Sequence, residues 1–283
     1  MQVIRAEHLG MCFGVRDAID MAHRRAEAAP LTILGDLVHN AAVLAALRAK
    51  GIAIAQDPAH VKTQTVMVTA HGASERALSH TRSLGLAVVE ATCPLVQVAH
   101  RAIAGLQRDG YHPIIIGQRG HVEVRGLTED LDHFDIVLDE TDVIALEEHP
   151  RLGIAAQTTQ PIDRVRQLVA LIRRRFPHSE IRFIDTVCHP TKQRQAAAVE
   201  LACQCEVVIV VGGASSNNTR ELVRTCSRYC SRVHHIETES DLHPEWFFDA
   251  RTVGLTAGTS TPDDIIDRVD RRIRALSGER MAP

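Results

Sequence analysis

Three stretches of the chain share one grammar: a short strand-like run, a single cysteine, then a helix-like run. They are VIRAEHLGMCFGVRDAI around Cys12, LAVVEATCPLVQVAH around Cys93 and IRFIDTVCHPTKQRQ around Cys188. In the second, Pro94 suits the first turn of a helix, where its missing N–H would be unpaired anyway. Thr92 is the expected N-cap there. Each thiol is therefore expected at a helix N-terminus, where unpaired N–H groups and the helix dipole favour a thiolate. A single cysteine is more often a small buried core residue, but three in one context weaken that reading.

The order of elements between the cysteines repeats. The first pass runs from strand LTILG into DLVHN, then helix AAVLAALRAK, strand GIAIAQ, strand VMVTAHG, helix SERALSHTRSLG and strand LAVVEAT. The second has helix PLVQVAHRAIAGLQRDG, strand PIIIG, loop QRGHVEVRG, the run FDIVLDE, strand LGIAAQTTQ, helix PIDRVRQLVALIRRRF and strand IRFIDT. The third has helix TKQRQAAAVELACQC, strand EVVIVVGG, loop ASSNN, helix TRELVRTCSRYC, strand TVGLTAGTS and helix TPDDIIDRVDRRIRALSG. It ends one strand and one cysteine short, and the N-terminal stretch ending at Cys12 would supply both. Such units are longer than solenoid repeats and large enough for a small α/β domain each. Alternating strands and helices, with near-continuous apolar strands, point to parallel sheets. The expected fold is thus α/β, with three similar units: 13–93, 94–188, and 189–283 completed by strand 1–12. A pseudo-threefold arrangement would collect the polar loops and the cysteines, all after strand ends, around one centre, where ligands of such sheets bind.

Composition excludes several classes of function. The 283 residues are 45% hydrophobic and 24% charged, as in an ordinary globular protein rather than a disordered chain. A net charge of −3 gives no bulk drive toward nucleic acid or anionic membrane. The basic runs at Arg173–Arg175 and Arg271–Arg272 read as solvated helix faces. MQVIRAEH lacks the pattern of a signal peptide, and VVIVV at Val207–Val211 is far short of the ~20 residues that span a bilayer. A cytoplasmic protein is expected, so its cysteines read as thiols or metal ligands rather than disulfides.

Three thiolates converging on a point suit a metal. Zinc would normally recruit a fourth Cys or a His, usually through local C-x₂₋₄-C pairs, and none of these three cysteines has a near partner. A [4Fe–4S] cluster held by three cysteines leaves one iron open, as a Lewis acid and an electron donor. Cys203, Cys205, Cys226 and Cys230 all fall in the third unit and read as ordinary core or surface thiols.

The loops have matched positions too. After the first strand of each unit stand His39-Asn40, His121-x-Glu123 and Ser215-Ser216-Asn217-Asn218. After a later strand stand Thr69-Ala70-His71-Gly72, Gln157-Thr158-Thr159 and Thr256-Ala257-Gly258-Thr259-Ser260. With 16 histidines in the chain, any one of them is more often a capping or packing residue than a ligand. Together these loops make a polar cup with one carboxylate. Imidazoles, hydroxyls and helix-start N–H groups suit a diphosphate, and a lone Glu suits proton delivery if its surroundings raise its pKa.

Across essentially its whole length the chain resembles the 4-hydroxy-3-methylbut-2-enyl diphosphate reductase (LytB-type) family. The motifs are GMCFGV, LVHN, TAHG, EATCPLV, GHVEV, AAQTT, IDTVC with TKQRQ, and TAGTSTPD, in order and at matching spacing. The resemblance implies a three-lobed α/β fold around a [4Fe–4S] cluster bound by Cys12, Cys93 and Cys188. It implies an iron–sulfur oxidoreductase of the non-mevalonate isoprenoid route that removes an allylic hydroxyl, consuming two electrons and two protons. By motif position, His39, His71 and His121 would bind diphosphate, Glu123 would donate the proton, and Thr158 would hold the substrate hydroxyl. Ser216, Asn217, Asn218 and Ser260 would complete the diphosphate contacts. The electron donor would be a ferredoxin or flavodoxin. The third-unit loop departs from the family's usual Asn-Ser-Ser-Asn: without gaps, Ser215 takes the first Asn position and Asn217 the second Ser. A shifted register matches Ser215-Ser216-Asn217 but needs an insertion after it, whereas the ungapped one keeps Thr219-Arg220-Glu221-Leu222 in register. That departure keeps a divergent paralogue in view, one that binds a diphosphate or senses redox state without turnover. A quinolinate-synthase-like iron–sulfur dehydratase is the other alternative, and the paired GHVEV and AAQTT loops speak against it.

Overall fold

The run Val207–Val211 is buried at every position, and its alternate side chains enter different layers. Val207, Ile209 and Val211 pack with Ile265, Val269 and Ile273, while Val208 and Val210 pack with Ala198, Leu201 and Leu222. A strand covered on both faces needs apolar residues throughout, and strands of that kind sit in parallel sheets. The computed structural model describes residues 1–278, so the last five residues of the expected 189–283 unit lie outside the described residues.

The chain opens with β1 (Gln2–Arg5) and α1 (Phe13–Ala28). Then come β2 (Leu31–Leu34), α2 (Ala41–Ala49), β3 (Ala53–Ala55), β4 (Thr65–Val68), α3 (Glu75–Ser83) and β5 (Ala87–Glu90). Next are α4 (Pro94–Arg108), β6 (His112–Ile116), α5 (Val122–Thr128), β7 (Asp135–Val137), α6 (Glu140–Ala145), β8 (Arg151–Ala156), α7 (Ile162–Arg175) and β9 (Glu180–Phe183). The last stretch holds α8 (His189–Gln204), β10 (Val207–Val211), α9 (Asn217–Cys226), β11 (Val233–Ile236), β12 (Thr252–Ala257) and α10 (Asp263–Gly278).

Among the described residues these strands form three four-stranded sheets, ordered β3-β2-β4-β5, β7-β6-β8-β9 and β1-β12-β10-β11, and every pairing is parallel. The expected fold class of repeated parallel α/β units is therefore what the chain adopts. In the first two sheets the second strand in sequence lies outside the first, the third lies inside it, and the fourth closes the far edge. In the third sheet β1 takes that far edge, with Gln2 opposite Thr252 and Arg5 opposite Leu255.

The described residues fall into two compact units. One holds residues 1–13, 39–43 and everything from 189 onward, and so contains the sheet with β1. The other holds residues 14–38 and 44–188, with the remaining two sheets. In this second unit, Ile114 and Ile116 face α7 through Val165, Val169 and Ile172, while Ile115 faces α4 and α5. The amino end of α3 is bound by acidic groups from the end of α5: Ser74 Oγ donates to Glu129, and Asp130 accepts the N–H groups of Glu75 and Arg76.

Two local expectations are corrected. Cys93, not Thr92, is the N-cap of α4, with Pro94 following as the first helical residue. GHVEVRG is not a loop: α5 starts at Val122. At seven residues, with an internal Gly and a His as cap, α5 is too short to show helical periodicity in sequence.

Candidate active site

Gln118 to Gly120 turn the chain out of β6, and His121 caps the helix that follows. The ring accepts the Glu123 N–H on Nδ1 at 3.1 Å. An Nδ1 that accepts cannot carry the proton, so Nε2 carries it. His71, in the loop after β4, meets the His121 ring edge-on, with centroids 5.5 Å apart and planes at 89°.

Glu123 is the second residue of α5 and only 1% exposed. Its Oε1 accepts the backbone N–H of Thr158 at 2.6 Å. Burial raises its carboxyl from 4.5 to about 7, outweighing the hydrogen bonds from Thr158 that would lower it. At neutral pH this carboxyl is thus poised to hold a proton and release it, as a general acid must.

Each of the three junction cysteines is tied down in the same way. Cys188 donates its N–H to Thr158 O at 3.0 Å, Cys93 to Ala70 O at 3.1 Å, and Cys12 to Thr259 O at 3.1 Å. Thr158, Ala70 and Thr259 each stand two residues past the end of the third strand of their sheet. The N–H of that acceptor residue is served differently in each sheet. Thr158 gives it to the Glu123 carboxyl, Thr259 to Asn218 Oδ1 at 3.0 Å, and Ala70 to the backbone of Leu37 at 3.4 Å. Asn218 is the second residue of α9, as Glu123 is of α5. The same scaffold position thus carries an acid in one sheet and an amide in another.

In the unit that contains Cys12, Ser216 caps α9 by accepting the Thr219 N–H at 3.3 Å. Asn217 and Asn218 follow, both buried. With Oδ1 held by Thr259, Asn218 Nδ2 is a buried donor with no partner among the described residues. Ser260 Oγ donates to the carbonyl of His39 at 3.2 Å. Gly213 is obligatory against that carbonyl, since a Cβ there would lie 2.4 Å from His39 O.

Of the expected site residues, His71, Cys93, His121, Glu123, Thr158 and Cys188 belong to one unit. Cys12, His39, Ser216, Asn217, Asn218 and Ser260 belong to the other. Sequence reasoning gave no role to three residues that hold them. Thr259 links Cys12 to Asn218. Arg194, buried in α8, gives Nε and Nη2 to the Gly10 carbonyl at 3.0 and 2.7 Å and Nη1 to Pro190 O at 3.1 Å, bracing the segment before Cys12. Gly14 lies against Cys93, where a Cβ would come 2.5 Å from Sγ. Arg194 lies in the TKQRQ motif and Gly14 in GMCFGV, so both were visible as motif residues, but their contacts were not.

The donor set fits an iron–sulfur cluster. Cys12, Cys93 and Cys188 are half-buried rather than sealed, each immediately precedes or caps a helix, and soft thiolates suit iron–sulfur ligation. The bare α-carbon of Gly14 leaves room beside the Cys93 sulfur. Cys205 and Cys226 behave differently: burial pushes their thiols up to about 11 and about 12, so they stay protonated as core residues.

Parallel sheets of one strand order, each carrying a cysteine at the same strand-to-helix junction, define a class of repeat-built α/β protein. The LytB protein family matches residues 3–274, and the chain belongs to that family. A 4-hydroxy-3-methylbut-2-enyl diphosphate reductase from Geobacter sp. (strain M21) is 35% identical, with both chains covered in full. The reductase of that name from Aquifex aeolicus is 34% identical over 98% of this chain and 97% of its own. Among solved structures, the E-1-hydroxy-2-methyl-but-2-enyl-4-diphosphate reductase of Plasmodium falciparum superposes with a TM-score of 0.90 at 27% identity, covering 95% of this chain and 86% of that one. Another, described as the terminal enzyme of the non-mevalonate pathway, gives 0.68 at 34% identity over 96% and 99%.

Proposed function

We propose that this chain reduces 4-hydroxy-3-methylbut-2-enyl diphosphate to isopentenyl and dimethylallyl diphosphates, closing the non-mevalonate isoprenoid route. The observation that carries the reading is the buried Glu123 carboxyl, linked through the single residue Thr158 to the backbone of Cys188. A proton source of suitable pKa and a ligand thiol are thus held in one rigid relay. The repeats at 13–93, 94–188 and 189–283 with 1–12 each offer one cysteine at a strand-to-helix junction, and these three, Cys12, Cys93 and Cys188, would hold a [4Fe–4S] cluster. When bound, that cluster supplies two electrons, one at a time, and an iron without a cysteine that acts as a Lewis acid.

The chain's own residues account for the rest. His39, His71, His121, Ser216, Asn217, Asn218 and Ser260 bind the diphosphate. Within that set His121 offers Nε2–H and Asn218 its free amide N–H. Charge-assisted bonds to phosphate oxygens are the strong kind, so the diphosphate anchors the substrate while the allylic end reacts. Thr158 orients the substrate hydroxyl. Glu123, neutral through burial, delivers a proton to that hydroxyl and lets it leave as water. Two electrons and two protons are consumed, one water departs, and the allylic carbon skeleton gains one hydrogen. The electrons come from a one-electron protein donor such as a ferredoxin or flavodoxin. Among the described residues no helix is long and apolar enough to cross a membrane.

The deciding experiment is anaerobic purification followed by assay with the hydroxylated allylic diphosphate and a reduced one-electron donor. Rapid formation of both isoprenoid diphosphates is the expected result. A bound cluster without turnover would instead identify a paralogue that retains the site but not the reaction.

A further inference from the structure

A second group of metal-type donors lies at the opposite end of the sheet that carries Thr158. β6 begins at His112 and β7 at Asp135, so both side chains stand where strands start. Glu123 and Thr158, by contrast, follow strand ends. His112 Nε2 and Asp135 Oδ2 are 2.8 Å apart. His149, in the connection just before β8, stacks on His112 with centroids 3.8 Å apart and planes 3° from parallel. One ligand atom from each of the three residues lies within 4.8 Å of the other two. They line an open pocket of about 430 Å³ together with Asp132, His133 and Glu147.

We propose that His112, Asp135 and His149 bind a divalent metal ion of the zinc class, pinning the α6–β8 connection to the amino edge of this sheet. Two imidazoles and one carboxylate are the donor mix of a zinc or late first-row site, whereas magnesium and calcium call for mainly oxygen ligands. All three residues are half-buried, which leaves their donor atoms reachable and an outer position open for water or for His133 or Glu147. Parallel rings cannot both aim at one ion, so binding requires the His149 ring to turn out of the stack. Its place outside any helix or strand permits that rotation. Of the other ionisable groups lining the pocket, Asp132 and Glu147 are acidic and favour a cation, and His133 adds a further imidazole. None of these residues takes part in the proposed reduction, so the site is separate from the reaction chemistry.

The test is anaerobic titration of the cluster-loaded protein with zinc chloride by calorimetry, with thermal melts and turnover measured alongside. One zinc per chain is expected, with a rise in melting temperature and unchanged turnover. H149A and D135N should each weaken that binding more than about tenfold, at least the loss caused by removing an outer partner of a metal ligand, while cluster absorbance stays constant. Magnesium at the same concentrations should give no heat. Absence of saturable zinc binding, or equal affinity and stoichiometry in H149A and D135N, would overturn the proposal. Crystals soaked in zinc should show anomalous density between His112, Asp135 and His149, and density elsewhere alone would count against it.

Discussion

The carboxyl of Glu123 accepts the backbone N–H of Thr158 at 2.6 Å, deep enough that its surroundings hold it near neutrality's edge. Thr158 holds the carboxyl with both its backbone and its side chain, and burial outweighs those bonds to keep the acid form. Removing the proton while keeping the shape therefore isolates the chemistry. Glu123→Gln should retain fold, cluster absorbance and substrate affinity, and lose roughly 10²- to 10⁴-fold in kcat, the usual contribution of a positioned acid. Steady-state kinetics with a reduced donor would check this, and wild-type turnover would remove Glu123 from the mechanism. In the wild type, kcat should fall as pH rises through about 7, where Glu123 ionises.

The same carboxyl makes stability depend on pH. Its pKa rises from 4.5 to about 7 on folding, so the folded chain binds the proton more tightly than the unfolded one. That contribution is complete below about pH 4.5, shrinks as pH rises toward 7, and is gone above it. Relative to wild type, Glu123→Gln should gain roughly 3 kcal/mol between pH 4.5 and 8. Anaerobic denaturant unfolding at those two pH values measures the difference, and equal differences at both would show that the carboxyl is not buried in its neutral form.

Asn218 occupies the scaffold position of Glu123 in another sheet, with an amide in place of the acid. Asn218→Asp keeps an acceptor for the Thr259 N–H but removes the donor and adds negative charge beside the proposed diphosphate. KM should rise at least tenfold with kcat changed by only a few-fold, since a hydrogen bond to a charged group is worth about 1.5–3 kcal/mol. A matching loss in kcat with KM unchanged would argue that Asn218 acts elsewhere than on the diphosphate.

Arg194 braces Gly10, two residues before Cys12, from the interior of α8. Arg194→Met fills similar volume without the donors, leaving the Gly10 carbonyl unserved. The expected cost is about 2–4 kcal/mol, read as a lower melting temperature, together with less iron per chain after reconstitution. Full iron content at reduced stability would confine Arg194 to a structural role.

Much of this was legible because the physics that decides it is local. The apolar runs at Val207–Val211 and 113–116 announce two-sided burial, and the repeated strand–Cys–helix junctions mark one end of each sheet. Glu123 stood out as a lone carboxylate among His, Ser, Thr and Asn. What sequence could not give was anything that depends on a partner far along the chain. The pairing of Asn218 with Thr259 and the grip of Arg194 on Gly10 are tertiary contacts with no periodic signature. α5 hid because a histidine ring does the capping that Ser, Thr, Asn or Asp usually do. Thr92 looked like the cap because hydroxyl caps are common, yet the strand ends early enough for Cys93 itself to take that place.

The parallel pairing of β1 with β12 has a consequence for how the protein is made. Gln2–Arg5 are made long before their partners Thr252–Leu255. The two sheets of residues 14–188 can form during synthesis, since chains tend to fold from the N-terminus as they are made. The strand leading to Cys12 has no sheet to join until β12 has been made. A nascent chain that has not yet reached β12 can therefore hold Cys93 and Cys188 on completed sheets, while the segment leading to Cys12 has no strand to pair with.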